Sequence, residues 1–241
     1  AVLLYDTEQS EVQLFKNVSN LLTRAKQPDK PDELKAFCLT GMSRKERLNA
    51  IVQSMDKFYY QYGGIQLVVI DGIADLVKSA NDETESVAVI DELYRLAGIY
   101  NTCILCVLHF VPNGLKLRGH LGSELQRKAA TILSIEKDDE PTQSVVKALK
   151  VRDGSPLDVP LMLFAWDKET GMHVYKGEKP RKEKEKRKER ELVNVARDIF
   201  GRQTRITYID LCEQLQQVLD IKERTAKSSV SYTHLRAHET K

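Results

Sequence analysis

Apolar positions in the first half of the chain alternate between short unbroken runs and longer segments with helical spacing. The runs predict strands at 2–5, 35–39, 65–70 and 103–108, and the spaced positions predict helices at about 10–24, 43–62 and 86–100. Short runs rich in β-branched residues are typical of strands buried on both faces of a parallel sheet. Three repeats of strand and helix therefore predict an α/β fold built on parallel strands.

The pattern changes after His109. A loop rich in Gly, Lys and Arg leads to a short helix near 122–130, and strands are then predicted at 131–136, 145–151, 161–166 and 172–175. Polar turns at 137–141 and 167–171 indicate antiparallel hairpins. We expect these hairpins to close one edge of a mostly parallel sheet that is flanked by helices.

The last third of the sequence has a different composition. Residues 177–191 are mostly Lys, Arg and Glu and carry no apolar stripe, which predicts a solvated, charged linker. Residues 192–229 contain three short amphipathic segments with a tight turn before the last, and they predict a small helix-turn-helix-like unit. Residues 230–241 resemble a translated sequencing adapter, so we set them aside from the fold.

Composition sets the broad class of the protein. A chain of 241 residues with 41% hydrophobic and 30% charged residues has room for one good core and a small second unit. The four cysteines lie mostly in apolar runs, which is typical of core residues in a reducing, cytoplasmic compartment. Cys103 and Cys106 should point to opposite faces of their strand, which argues against a zinc site. No apolar run is long enough to span a membrane.

Polar side chains follow three of the predicted parallel strands. Glu8 comes after the first strand, Asp71 ends the third, and His109 follows the fourth. Each residue alone has an ordinary structural explanation, as a helix cap or a solvated loop residue. Because the carboxyl ends of parallel strands meet at one edge of a sheet, the three together favour a site there.

Five segments, in their order along the chain, resemble motifs of the RecA-like motor ATPases, in the branch of replicative and plasmid-type hexameric helicases. They are Tyr5-Asp6-Thr7-Glu8, Leu67-Val-Val-Ile-Asp71, Val107-Leu108-His109, Arg118-Gly-His-Leu-Gly-Ser-Glu-Leu125 and Ala148-Leu-Lys150-Val-Arg152-Asp-Gly154. The resemblance covers about residues 1–176 and implies a RecA-like ATPase core. Each motif is weak by itself, and their order and spacing give the match its specificity.

The resemblance also implies roles for individual residues. Glu8 would polarise the attacking water, Asp71 would organise Mg²⁺ beside ATP, and His109 would sense the γ-phosphate. Lys150 and Arg152 would supply an arginine finger to the neighbouring subunit, so hydrolysis would depend on a homo-oligomeric ring, with a hexamer favoured. The alternative for these two residues is a solvated pair on one face of an edge strand.

Basic residues in two places are candidates for DNA contacts. Lys116 and Arg118 lie in a loop without acids that could follow a single-stranded phosphate backbone, although an ordinary surface loop is an equal alternative. Arg224 and Lys227 begin the last helix and are of the types that meet the phosphates of duplex DNA. The leading hypothesis is an ATP-dependent, helicase-like DNA-handling motor of a plasmid or mobile element. The alternative is a non-catalytic RecA-like DNA-binding or regulatory adaptor.

One motif of the family has no counterpart in the sequence. Gly-x-x-x-x-Gly-Lys-Ser/Thr, the loop that cradles phosphates with its backbone N–H groups, occurs nowhere. In the family this loop precedes the strand that carries Glu8, so we expect it upstream of residue 1. We therefore expect the present chain to bind ATP poorly and to lack ATPase activity, while the full-length protein is an enzyme.

Overall fold

The structure is a computed structural model. It describes residues 1–110, 119–180, 194–195, 197–201, 206–223, 225–227 and 230. The chain divides into two compact units, 1–129 and 130–241. The end predicted for the RecA-like core, residue 176, falls inside the second of these units.

A parallel sheet organises the first unit. Its strands are β1 (Val2–Asp6), β2 (Leu34–Cys38), β3 (Leu67–Asp71) and β4 (Cys103–Val107). They lie in the order β2-β1-β3-β4, and every neighbouring pair is parallel. The predicted parallel α/β arrangement is thus confirmed for this unit, and each strand lies within two residues of its predicted limits.

Helices lie between these strands and after the last of them. They are α1 (Glu11–Arg24), α2 (Arg44–Tyr62), a short 3-10 helix (Ile73–Leu76), α3 (Glu83–Ile99) and α4 (Gly119–Lys128). Helix α3 begins three residues before its predicted start because the Asp82 side chain accepts the N–H of Glu85 at 2.9 Å and caps the helix. Helix α2 ends at Gly63, whose φ of +72° is the left-handed conformation that glycine adopts easily.

The main core lies on one face of the parallel sheet. Leu3, Tyr5, Val68 and Ile70 of the two central strands are fully buried there. Helices α2 and α3 cover them with their own buried side chains, which include Ile51, Met55, Phe58, Val89, Ile90 and Leu93. These central strands are therefore held by packing as well as by the hydrogen bonds of the sheet.

The opposite face of this sheet has a smaller core. Leu14 and Val18 of α1 pack with Leu34, over β1 and β2. In the part of the chain that the structure describes, this cluster extends no further across the face, and Leu105 of β4 is 46% exposed. One side of the sheet edge at β4 is thus much less covered than the sheet centre.

The second unit contains an antiparallel sheet. Its strands are β5 (Thr131–Lys137), β6 (Gln143–Val151), β7 (Leu161–Asp167) and β8 (Met172–Lys179), in the order β5-β6-β7-β8. The hairpins confirm the predicted turns, but the prediction that they close the edge of the parallel sheet was wrong, since they form a sheet of their own. Strands that are close in sequence pair with one another at little cost in loop entropy, which favours a separate sheet with its strands in sequence order.

The observed end of β8 also changes the predicted start of the charged linker. The strand continues to Lys179, which pairs with Leu161, whereas the linker was predicted to begin at 177. The Lys179 ammonium group donates to the Asp138 carboxylate, and this ion pair lowers the pKa of Asp138. Charged residues at the end of a strand can therefore belong to the sheet when they find partners in it. The rest of the predicted linker, 181–191, lies outside the described residues.

A small helical cluster ends the described chain. It contains α5 (Tyr208–Leu219), which Thr207 caps, and helical residues at 197–201 and 225–227. Its buried side chains are Ile199, Leu211, Cys212, Leu215, Ala226 and Val230. Val230, the first residue of the tail that we set aside, is 1% exposed and packs in this cluster, and 231–241 lie outside the described residues. None of the described helices is both long and apolar enough to cross a lipid bilayer.

Candidate functional site

Two neighbouring strands bring the first two predicted site residues to one edge of the parallel sheet. Strands β1 and β3 pair in parallel with Asp6 opposite Asp71, so Glu8, just after β1, and Asp71, the last residue of β3, lie at the same ends of adjacent strands. Strand β4 pairs on the other side of β3 with Val107 opposite Asp71, and His109 follows two residues later. The three predicted residues are therefore at one edge, as expected for a parallel sheet.

The Glu8 side chain meets His109 across this edge. Glu8 Oε2 lies 3.3 Å from His109 Nε2, and the two residues are 101 positions apart in the sequence. The His109 side chain is 75% exposed and that of Glu8 is 30% exposed. A histidine with this much solvent contact can change partners without disturbing the core, whereas the carboxylate lies closer to the sheet.

The carboxyl groups at this edge perturb one another. Burial raises the pKa of the Asp71 carboxyl above its ordinary value, the acids Asp6 and Glu8 raise it further, and His109 lowers it. The ionised form of Asp71 is thus disfavoured by its surroundings. Such a concentration of negative charge favours a nearby cation.

Asp6 also belongs to this edge, and the sequence analysis did not assign it a role. It is 1% exposed, and its Oδ1 atom accepts the backbone N–H groups of Glu8 at 3.0 Å and Gln9 at 2.7 Å. This arrangement fixes the turn that presents Glu8, in the manner of an Asx turn. The sequence signal that could have indicated Asp6 is an Asp at the end of a strand, two residues before another acid.

Thr7 and Gly72 join the two strand ends. Thr7 is 2% exposed, and its Oγ1 atom donates to the carbonyl oxygens of Asp71 at 3.0 Å and Gly72 at 2.8 Å. The backbone N–H of Thr7 also donates to the Asp71 carbonyl at 3.0 Å. These contacts link segments 64 residues apart, and no local pattern in the sequence indicated them.

Arg47 stabilises a neighbouring part of the same edge. Its guanidinium group is largely buried, donates to the carbonyl oxygens of Leu39, Thr40 and Met42, and forms an ion pair with Asp75 at 3.5 Å. An open pocket of about 770 Å³ lies beside it, between the start of α2 and the segment after β3. Glu8, Asp71 and His109 do not line this pocket, so it is separate from the acidic edge.

The remaining predicted site residues lie elsewhere. Lys150 lies in β6 opposite Ile132, and Arg152 is exposed just beyond that strand, so both belong to the second unit. Lys227 forms an ion pair with Glu223 one helical turn away, which raises the pKa of the lysine. The other predicted DNA contacts, Lys116, Arg118 and Arg224, lie outside the described residues.

The acidic edge fits the requirements of Mg²⁺. This ion prefers oxygen ligands and usually binds through one or two carboxylates while it keeps several waters. The crowded Asp71 carboxylate suits that role, because a cation beside it would offset the repulsion from Asp6 and Glu8. Among the residues that the structure describes, no group of three or more His, Cys, Asp or Glu could hold a metal by itself. Water or phosphate oxygens would have to complete the shell.

Comparison with known proteins gives no assignment: the chain matches neither a protein-family model nor a curated protein.

Proposed function

We propose that this chain is part of an ATP-dependent, helicase-like DNA-handling motor with a RecA-like core, of the kind carried by plasmids or mobile elements. The observation that supports it is the meeting of Glu8, Asp71 and His109 at the carboxyl edge of one parallel sheet. Phosphoryl transfer to water needs a carboxylate to orient the water, a ligand for Mg²⁺ and a polar group near the γ-phosphate. The edge offers one side chain for each task.

Each side chain has a defined part in this proposal. Asp71 would hold Mg²⁺ through water, and the ion, when bound, neutralises charge on the phosphate oxygens. Glu8 orients the attacking water, and the turn fixed by Asp6 keeps its backbone in place. His109 holds the Glu8 carboxylate at 3.3 Å and is exposed enough to turn toward a phosphate instead. Lys150 and Arg152 would complete the site of a neighbouring subunit in a homo-oligomeric ring.

The test is ATP hydrolysis by the chain extended with its upstream coding sequence, measured with and without single-stranded DNA. We expect hydrolysis that DNA stimulates, and we expect Glu8→Gln to lower kcat by about a hundredfold or more while ATP binding is kept. Glu11→Gln, at the exposed start of α1, is the matched control and should behave like the unmodified protein. An extended chain with an intact phosphate-binding loop that hydrolyses no ATP would overturn the proposal.

The oligomeric part of the proposal has its own test. Arg152→Ala should be inactive in the assembled state, since a finger acts on the site of a neighbour. Mixing Arg152→Ala with Glu8→Gln chains should restore part of the activity, because some interfaces then combine an intact finger with an intact acid. Mixtures that stay as inactive as the separate variants would count against a finger that acts between subunits.

A non-catalytic DNA-binding adaptor is the second candidate. The observation that favours it is the helical cluster, which has its own buried core of six side chains around α5. A helical unit of this kind can bind duplex DNA without ATP. DNA binding that is unaffected by ATP, together with a degenerate phosphate-binding loop upstream, would favour the adaptor over the motor.

A further inference from the structure

Gly72 lies directly beneath the Glu8 side chain. Its φ is +90°, and a Cβ atom built on it would be 2.3 Å from Thr7 Oγ1 and 2.6 Å from Glu8 Cγ. Real Cβ atoms essentially never approach other atoms this closely. The aliphatic part of Glu8 therefore occupies the space that a side chain at position 72 would need.

Thr7 fixes the same place from the other strand. Its hydroxyl group lies between the carbonyl oxygens of Asp71 and Gly72, at 3.0 and 2.8 Å, and it is buried. A buried hydroxyl bonded to main-chain oxygens keeps the two backbones at a fixed separation, since breaking the contact leaves buried polar groups unpaired. The turn after β1 and the loop after β3 therefore move together.

The result is a fixed direction for the Glu8 carboxylate. Asp6 holds the backbone N–H of Glu8, the Thr7 hydroxyl group ties the residue before Glu8 to the end of β3, and Gly72 leaves room for the Glu8 stem. These three constraints act on the start of the side chain, so its end is directed toward His109, 3.3 Å away.

We infer that Thr7 and Gly72 are positioning residues, which hold the Glu8 carboxylate in its working place beside His109 by joining the ends of β1 and β3. The catalytic consequence of this inference rests on the proposed function. The geometric part does not, because it concerns only where the Glu8 side chain lies. The two parts can therefore be tested separately.

The geometric part is tested on the 241-residue chain by NMR at one fixed pH. The reporter is the ring signal of His109, identified by its loss in His109→Gln. Glu8→Ala shows where that signal lies when the carboxylate is missing. We expect Gly72→Ala to move the His109 signal toward the Glu8→Ala position, because the new methyl group displaces the Glu8 stem.

Gly63→Ala is the matched control for backbone strain. Gly63 also has a positive φ, +72°, but a Cβ atom there meets nothing within 4 Å. The control carries the strain of a positive φ without the steric clash, so it should leave the His109 signal unmoved. A His109 signal that stays at its original position in folded Gly72→Ala would overturn the inference.

Thr7 supplies a second pair of variants if Gly72→Ala does not fold. Thr7→Val keeps the shape of the side chain and removes the hydroxyl group, so it should move the His109 signal. Thr7→Ser keeps the hydroxyl group, so its His109 signal should stay close to that of the unmodified chain. Equal His109 signals in Thr7→Val and the unmodified chain would count against the inference as directly as an unmoved Gly72→Ala signal.

The catalytic part is tested in the extended, ATP-hydrolysing protein. A displacement of Glu8 by about 1 Å should lower kcat by up to about a hundredfold and change KM little, because the carboxylate acts on the water and not on ATP binding. Gly63→Ala should retain its activity. If the unmodified protein is inactive, the proposed function fails. If it is active and Gly72→Ala hydrolyses ATP equally fast, the positioning role fails.

Discussion

Strands β3 and β4 are neighbours in the same sheet, yet they differ strongly in burial. Each is a five-residue, mostly apolar strand with a candidate site residue at its end or two residues beyond it. Val68 and Ile70 of β3 have no exposed surface, whereas their partners Ile104 and Cys106 in β4 are only partly buried, and Leu105 on the other face of β4 is 46% exposed. The difference comes from position: β3 has paired strands on both sides, and β4 has only β3 in the described chain. An apolar run therefore predicts a strand, but it does not predict how deeply the strand is buried.

The polar residues at the two strand ends differ in the same way. The end of β3 is attached to β1 through the buried Thr7 hydroxyl group. His109, after β4, is 75% exposed and contacts Glu8 at 3.3 Å. In the proposed function the acids would keep their places during turnover, while His109 would be the group that changes partner.

The largest effect expected from this contrast is on stability. Ile70→Ala should lower the free energy of unfolding by about 2–5 kcal/mol, because it leaves a cavity in a fully buried position. Leu105→Ala should cost less than about 1 kcal/mol, because the side chain is half exposed. Urea unfolding monitored by circular dichroism measures both changes. Equal losses for the two variants would mean that the β4 face is as buried in solution as the sheet centre.

A smaller structural contrast lies within β4 and concerns its two cysteines. Cys106 packs against the main core, and burial raises the pKa of its thiol to about 12, while Cys103 is exposed on the opposite face. Since the thiolate is the reactive form, iodoacetamide at pH 8 should label Cys103 at least about a hundredfold faster than Cys106. Mass spectrometry of the peptides gives the two rates. Similar rates would show that the covered face of β4 opens readily.

The smallest effect concerns Asp71 and its dependence on pH. The pKa of Asp71 is higher in the folded chain than in the unfolded chain. Ionised Asp71 therefore destabilises the fold at a pH above the folded-state pKa, and this destabilisation is lost as the pH falls below the unfolded-state pKa. Asp71→Asn should therefore stabilise the chain at pH 7.5 in the absence of divalent cations, by less than about 1 kcal/mol, since the site is partly exposed to solvent. The gain should vanish near pH 3.5.

Asp29→Asn, in the exposed loop between α1 and β2, is the control for this measurement and should stay within about 0.5 kcal/mol of the unmodified chain at neutral pH. A loss of stability in Asp71→Asn at pH 7.5 would show that the ionised carboxylate has a partner that compensates its burial.

Much of the first unit could be predicted from sequence because its signals are local. Apolar runs bounded by turns indicated the four parallel strands, and helical spacing indicated α1 and α2. The order of the strands in the sheet was not predicted, since it depends on contacts between distant segments. The separate antiparallel sheet was missed for the same reason: a strand pattern shows its own period and turns, but it does not identify the strand across the next edge.

The sequence by itself determined which residue types follow the strand ends, and hence that Glu8, Asp71 and His109 would gather at one edge of a parallel sheet. Only the tertiary structure decided how they are held: the buried Asp6 turn, the Thr7 hydroxyl contacts and the space left by Gly72. The physical reason is the distance along the chain between the residues that interact. Strand direction and period come from neighbours along the chain, whereas the fixing of Glu8 depends on contacts between residues about 65 positions apart.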